Sequence, residues 1–266
     1  MTFGVKRRSL SYRRHRPDDG AMSLREHLRE FRKRAGIAAG AVVLAGIFGF
    51  IASDSVIAAA AHPLLELHNG NEAGLNFTRV GEAFDLRFKI ATTAGIVLAA
   101  PVWLFQLWSF LVPGLTKRER RIGMLFVGLA VPLFFSGAAF GWLIVPHIVV
   151  LLASFAPAGS TTLLTAIQYY DFLLKFVLAV GIAFVSPLVI IALNAVGVLS
   201  ARSIIRGWRA ALVIIIIFSA AVTPASDMLS MGLVALPLCV LYVGAAAWAA
   251  VHDRRLARRA AKVLTV

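Results

Sequence analysis

Charged side chains and cysteine are scarce in this sequence. Only 15% of its 266 residues are charged, against about 25% in an ordinary soluble domain, whereas 59% are hydrophobic. The single cysteine, Cys239, lies inside an apolar block, so no disulfide can form within the chain and its redox compartment cannot be inferred. The scarcity of charge excludes an ordinary soluble domain and favours a membrane protein.

Motifs of the common enzyme classes are also lacking. The sequence contains no GxxxxGK[ST] phosphate loop, no HExxH metalloprotease motif and no GxSxG nucleophile elbow. Its six histidines are scattered, and His147, beside Pro146 at the end of an apolar block, is typical of a hydrogen-bonded polar residue rather than a metal ligand. We therefore expect no enzymatic activity, no cofactor and no metal site.

Six long apolar blocks are present instead. They cover residues 35–52, 88–112, 122–153, 172–198, 210–222 and 228–251. Because a span needs roughly 20 apolar residues, the fifth block is short and must lie in a thinned bilayer or partly against other helices. The sequence predicts an all-α membrane protein with six transmembrane helices within residues 23–252, between a basic arm (1–22) and a basic tail (253–266).

The positive charge is placed as in a membrane protein. A net charge of +14 is compatible with nucleic-acid binding, but the cations lie between apolar blocks and not along one soluble face, so we expect no nucleic-acid partner. Eleven cations precede the first block. Most of the others lie in three segments: the connection between the second and third blocks (Lys117, Arg118, Arg120, Arg121), the connection between the fourth and fifth blocks (Arg202, Arg206, Arg209) and the tail (Arg254, Arg255, Arg258, Arg259, Lys262). The positive-inside rule predicts that both termini are cytoplasmic.

The residues before the first span have two features. Paired arginines occur in KRRSL (residues 6–10), but about two dozen polar residues separate them from the first apolar block. We therefore interpret these arginines as part of a solvated arm. Met1 and Met22 are alternative initiator residues. Ser23 and Glu26 form a capping box. The helix that follows has one face with Leu24, Leu28 and Phe31 and another with Arg25, Arg29 and Arg32. We expect it to lie in the cytoplasmic interface before the first span.

Two acids stand among these cations. Glu119 lies in WSFLVPGLTKRERR (residues 108–121), and Glu30 lies in HLREFRKR (residues 27–34). Taken alone, Glu30 would pair with Arg34 four residues later, and Glu119 would sit in the first turn of the third span, where a negative charge suits the helix dipole. The alternative is that both carboxylates bind a cationic partner.

The sequence around these acids resembles the TatC family, the multispanning subunit of the twin-arginine protein translocase. The resemblance rests on HLREFRKR and on EAFDLRFKIATTAGIVLAAPVWLFQLWSFLVPGLTKRERR (residues 82–121), with further matches in HPLLEL (62–67), GWLIVPHI (141–148) and TPASDMLSM (223–231). These motifs follow one another in order from about residue 22 to 259. Together they are specific, and each alone would be weak.

The resemblance implies a receptor for signal peptides with paired arginines. The recognition carboxylates of the family fall on Glu30 and Glu119 and its motif phenylalanine on Phe110, and Arg32 belongs to the same signature. A guanidinium can bind a carboxylate with two parallel hydrogen bonds, which a lysine ammonium cannot reproduce. The implied partners are signal peptides of folded cargo, single-span subunits of the TatA/TatB type, the lipid bilayer and further copies of the chain, in the bacterial cytoplasmic membrane.

The resemblance also implies a fold. Family members form a curved, glove-shaped bundle with kinked helices, and the prolines expected to kink or end spans here are Pro101, Pro132, Pro146, Pro187 and Pro237. Pro63 is expected in a cap on the outer side, and Asp227 as the N-cap of the sixth helix.

One position departs from the family. Val185 stands where relatives carry a glutamate in the fourth span, and we expect the nearby Asp171 and Lys175 to pair with each other instead of replacing that acid. A small-solute secondary transporter is the alternative function. It is disfavoured because neither related halves nor ionisable residues at the bilayer midplane are evident.

Overall fold

Nine α-helices make up the described part of the chain. The computed structural model describes residues 24–67, 77, 79–111, 117–153, 165–195, 197–223 and 228–264, and within these the side chains of 24, 63–67, 111, 117–125, 153 and 259–264 are not described. The helices are α1 (Leu24–Ile51), α2 (Ser53–Leu67), α3 (Glu82–Leu98), α4 (Ala100–Leu111), α5 (Lys117–Ala153), α6 (Ala166–Ala195), α7 (Ala201–Arg206), α8 (Trp208–Val222) and α9 (Met228–Leu264).

The helices account for the six predicted spans. Four of them, α1, α5, α6 and α9, are each long and apolar enough to cross a membrane, and α3 with α4 makes a fifth span bent by 57°. In chain order, the fifth predicted span corresponds to α8, a mainly apolar helix that is as short as expected, with 15 residues. The prediction of an all-α membrane protein is confirmed.

Several helices are longer than the apolar blocks. The predicted amphipathic helix before the first span is continuous with that span, because α1 runs without a break from Leu24 to Ile51. Ser23, its predicted cap, lies outside the described residues. At the other terminus α9 continues through the predicted tail as far as Leu264. Basic residues extend both helices beyond their apolar parts because lysine and arginine are good helix formers.

The helices run alternately between two ends of the bundle. We call the end where α1, α5 and α8 begin the proximal end, and the opposite end, where α3, α6 and α9 begin, the distal end. The short α2 lies at the distal end, because Tyr169 and Tyr170 of α6 donate hydrogen bonds from their hydroxyls to the carbonyls of Ala60 and Ile57, both at 2.8 Å. Pro63 also lies in α2, and its side chain is outside the described residues.

Helix α6 is the most enclosed part of the bundle. Its buried face packs on α5 through glycines that leave no room for a side chain: a Cβ on Gly137 would lie 2.7 Å from the ring of Phe184, and one on Gly181 would lie 3.0 Å from the ring of Phe134. Val185 is buried in the same region, against Ala100, Leu104 and Phe134. The position that carries the family acid therefore faces the packed interior in this chain.

The bend between α3 and α4 falls at Ala99, just before Pro101. The chain continues as an α-helix through Pro132, Pro146, Pro187 and Pro237. At the break the carbonyl of Ile96 loses its usual partner in the next turn, and the indole Nε1 of Trp103 donates to it at 2.9 Å. A side chain thus satisfies a backbone acceptor that would be costly to leave unpaired inside a membrane.

We expect Trp103→Phe to lower the stability of the folded chain by about 1 kcal/mol, since it leaves the Ile96 carbonyl without this donor. Unfolding of the purified protein in detergent would measure the change. Trp142→Phe is a matched control, because this half-buried indole makes no hydrogen bond to a described residue. An equal loss in both variants would show that ring size matters here and the hydrogen bond does not.

The predicted pairing of Asp171 with Lys175 is wrong. Asp171 instead binds Lys89 of α3, whose Nζ lies 2.9 Å from Oδ1 and 3.1 Å from Oδ2. Lys175 has no carboxylate within ion-pair distance among the described residues. The reason is tertiary: α3 packs beside α6 and brings a lysine to Asp171 that spacing along one helix cannot reveal.

Candidate functional site

A pocket opens at the proximal end between α1 and α4. It has a volume of about 200 Å³. Its lining residues are Phe31, Arg34, Ala35 and Ala38 of α1 and Trp103, Gln106, Leu107 and Phe110 of α4. On each helix these residues recur three or four positions apart, which places them on one face. Its walls are mainly apolar, and we call it the proximal pocket.

Aromatic rings hold the mouth of the proximal pocket in place. The ring of Phe110 stacks on His27, with centroids 4.5 Å apart, and meets the edge of Phe31 at 5.3 Å. On the other side of α4, Trp108 stacks on Phe126 of α5 at 4.1 Å. Phe110 therefore joins the start of α1 to the end of α4, where each ring contact contributes about 1 kcal/mol.

A carboxylate and a guanidinium stand at the rim of this pocket. Arg34 donates to Glu30 Oε1 from both Nε, at 3.0 Å, and Nη2, at 2.6 Å. The pairing predicted from their spacing is confirmed. Both bonds end on Oε1, and Oε2 accepts no hydrogen bond from the described residues. With about a quarter of each side chain exposed, Glu30 can bind a guanidinium and still be reached by a ligand.

The other predicted site residues are placed as follows. Arg32 is exposed and lies on the side of α1 that faces away from the proximal pocket. Glu119 belongs to the first turn of α5, eight residues after the last residue of α4, but its side chain lies outside the described residues. Asp227 lies outside them entirely. The structure thus places Phe110 in the lining of the proximal pocket together with Arg34, the partner of Glu30, whereas Arg32 does not line it.

Some residues of the pocket and its mouth were not predicted from the sequence. Trp103, Gln106 and Leu107 line the pocket, and His27 stacks on Phe110 at its mouth. The spacing of Trp103, Gln106, Leu107 and Phe110 puts them on one helix face and could have indicated a surface. Because the whole segment is apolar, however, that pattern does not distinguish a pocket wall from a lipid-facing side. Only the position of α1 makes the distinction.

The described residues include no group of three or more histidine, cysteine, aspartate or glutamate side chains that could hold a metal ion. What the site offers is an apolar pocket with a carboxylate at its rim. Such an arrangement is chemically suited to binding a cation beside an apolar side chain.

Comparison with protein families gives one family over most of the chain. Residues 26–237 match the sequence model of the family described as "Sec-independent protein translocase protein (TatC)". The matched region includes the proximal pocket and all six apolar segments, ending within the last of them.

Individual relatives agree with that match. A Sec-independent protein translocase protein TatC of Xylanimonas cellulosilytica is 42% identical over 242 residues, covering 90% of this chain and 88% of the relative. The protein of the same name from Carboxydothermus hydrogenoformans is 32% identical, covering 85% of this chain and 91% of the relative.

Solved structures are similar in fold. A crystal structure described as the twin-arginine translocase receptor TatC in DDM superposes with a TM-score of 0.75 at 28% identity, covering 84% of this chain and 99% of the other. A second crystal structure of the twin-arginine translocase receptor TatC gives a TM-score of 0.73 at 30% identity, covering 85% and 98%.

Proposed function

This chain belongs to the TatC family of Sec-independent protein translocases, and we propose that it is the member of that system that receives signal peptides with paired arginines. Its helices form a membrane-embedded component of the translocase, which works with other Tat subunits. Transport of a small solute finds no support in these similarities.

The observation that carries the proposal is the Glu30–Arg34 pair. A carboxylate that accepts two guanidinium N–H groups from its own helix has the geometry needed to accept them from a peptide. Arg34 acts as an internal stand-in for the ligand, and an incoming arginine would take over part or all of its place. The apolar proximal pocket beside the carboxylate would take a hydrophobic side chain that neighbours the paired arginines.

A second arginine needs a second acid. In this proposal Glu119 is that second acid. It lies in the first turn of α5, and a short connection joins α5 to α4, the helix that carries Phe110. The surrounding lysines and arginines would repel basic peptides that lack the correct fork geometry and would attract anionic lipid headgroups. The two carboxylates would then be the points where paired guanidinium groups can bind.

The same charges support the orientation and the partners. Because the basic residues cluster at the proximal end, that end would face the cytoplasm of a bacterial cell. Single-span subunits of the TatA and TatB type would assemble around the bundle with further copies of this chain. Exposed apolar residues on α1 and α8, among them Leu44, Ile51, Ile214 and Ile217, would lie against lipid or these partners.

The test is binding of peptides that differ only at the pair. The purified chain should bind a peptide with paired arginines roughly tenfold or more tightly than the same peptide with paired lysines, since a charge-assisted, two-point hydrogen bond is lost in the second. A peptide with paired glutamines is the uncharged control. Equal affinity for the arginine and lysine peptides would contradict the proposal, because net charge alone would then explain binding.

A further inference from the structure

Another pocket lies at the distal end, between α3 and α6, and it is unlike the proximal pocket in its charge. Its volume is about 460 Å³. It is lined by Asp85, Phe88, Lys89, Thr92 and Thr93 of α3 and by Asp171, Leu174, Lys175 and Leu178 of α6. Four of its nine lining residues are charged. We call it the distal pocket.

Three of the charged groups form one cluster. Lys89 is bound by both oxygens of Asp171 and, at 2.9 Å, by Oδ2 of Asp85. The cluster therefore carries a net charge of −1. Asp85 is its most exposed member, with 52% of its side chain accessible against 30% for Asp171, so the surplus negative charge is presented at Asp85.

The fourth charge is separate from the cluster. Lys175 is exposed, and no described carboxylate lies within ion-pair distance of it. Lys175 lies four residues after Asp171 on α6, about 6 Å farther from the distal end. On α3, Asp85 lies four residues before Lys89, about 6 Å nearer to the distal end. The distal pocket thus has a negative side towards the distal end and a positive side about 6 Å below the cluster.

The position of the distal pocket across the membrane follows from the packing of α1 on α3. Gly49 of α1 lies against Ala91 and Ala94 of α3, and α1 ends two residues later at Ile51. Lys89 therefore lies level with the end of the first span. Because α1 is a helix long and apolar enough to cross a membrane and ends here, we infer that the boundary between hydrocarbon and headgroups lies at this level, where a lysine side chain extends towards the polar layer to find an anion.

We propose that the distal pocket binds the headgroup of a zwitterionic phospholipid that has a primary ammonium. The phosphate, which lies nearer to the acyl chains, contacts Lys175, and the ammonium, farther out, contacts Asp85. Phe88, Leu174 and Leu178 line the path of the acyl chains. Thr93 adds a hydroxyl group to the pocket lining, whereas the hydroxyl of Thr92 donates to the carbonyl of Phe88 at 2.9 Å.

The charge pattern favours a zwitterion over the alternatives. A carboxylate on a partner helix would satisfy Lys175, but it would add a third acid beside Asp85 and Asp171. An anionic headgroup would likewise meet the surplus charge of the cluster. A headgroup that carries both signs satisfies Lys175 and Asp85 together, because its charges lie in the opposite, complementary order: the ammonium is outermost, at the level of Asp85, and the phosphate lies farther in, at the level of Lys175.

The test is lipid retention by the full-length chain. The protein in detergent is offered equal amounts of phosphatidylethanolamine and phosphatidylglycerol, and the lipids bound are counted by native mass spectrometry. We expect phosphatidylethanolamine to be preferred. Lys175→Gln should lower its retention roughly fivefold, and Lys175→Arg should preserve it. Asp85→Asn should reduce the preference for phosphatidylethanolamine over phosphatidylglycerol.

Arg87→Gln is the matched control, because this cation on α3 pairs with Asp54 at 2.7 Å and does not line the pocket. An equal loss in Arg87→Gln, no preference between the two lipids, or full retention in Lys175→Gln would overturn the proposal. If Lys175→Gln released a co-purifying single-span protein and kept the lipid, the pocket would be a site for a partner helix. The readout does not depend on signal-peptide binding.

Discussion

Replacing Gly95 with leucine should prevent the chain from accumulating as a folded membrane protein. A Cβ at Gly95 would lie 2.6 Å from the carbonyl oxygen of Val42 and 3.0 Å from the backbone of Gly46, so α1 and α3 would have to separate. Backbone atoms cannot move aside as a flexible side chain can, and we expect a cost of about 3 kcal/mol or more. The yield of monodisperse protein after membrane extraction would measure it.

Gly40→Leu serves as the control for this prediction. Gly40 lies on α1, and nothing comes within 4 Å of an added Cβ there, so leucine should be tolerated or should stabilise the helix slightly. If Gly95→Leu accumulated as well as Gly40→Leu, the close contact of α1 with α3 would not be required. The stability of the bundle would then have to come mainly from α5 and α6.

Neutralising both acids should abolish recognition of paired arginines. We expect Glu30→Gln or Glu119→Gln to weaken binding of the arginine peptide roughly tenfold, and the double variant to weaken it roughly a hundredfold, as each removes one charge-assisted interaction. Asp54→Asn is the control, since this acid lies at the opposite end of the bundle on α2. Peptide binding to the purified variants would measure the effect.

Export provides a second measurement for the same variants. In a strain that lacks its own receptor, the unmodified chain and Asp54→Asn should restore export of a folded cargo, and the double variant should not. Unchanged peptide affinity in the double variant would refute the roles given to Glu30 and Glu119. Because Gln keeps the size of each side chain, a loss of binding with normal protein yield would report on charge and not on folding.

The path of the chain through the membrane could be predicted from the sequence because hydrophobicity and charge act locally. Each apolar block is long enough to be recognised by itself, and even the shortness of the fifth reappears as α8. The Glu30–Arg34 pair could be predicted for the same reason, since residues four apart on a helix always lie close together. The family motifs added the predicted roles of Phe110 and Glu119.

Contacts between helices could not be predicted in this way. Asp171 is four residues from Lys175 and 82 residues from Lys89, yet it binds Lys89, because α3 lies beside α6. A kink in the second apolar block was predicted at Pro101, and the bend lies at Ala99, two residues earlier. The sequence did not reveal how the broken helix is satisfied, which only the hydrogen bond from Trp103 to Ile96 shows.

What the sequence determined by itself is therefore the set of apolar segments, their charged ends and the presence of two acids among those charges. Only the tertiary structure decided which of these residues share a surface: the apolar pocket beside Glu30, the buried place of Val185, and the separation of Lys175 from the cluster at Asp171. The physical reason is that solvation and helix geometry act on neighbours along the chain, whereas packing pairs residues that the sequence keeps far apart.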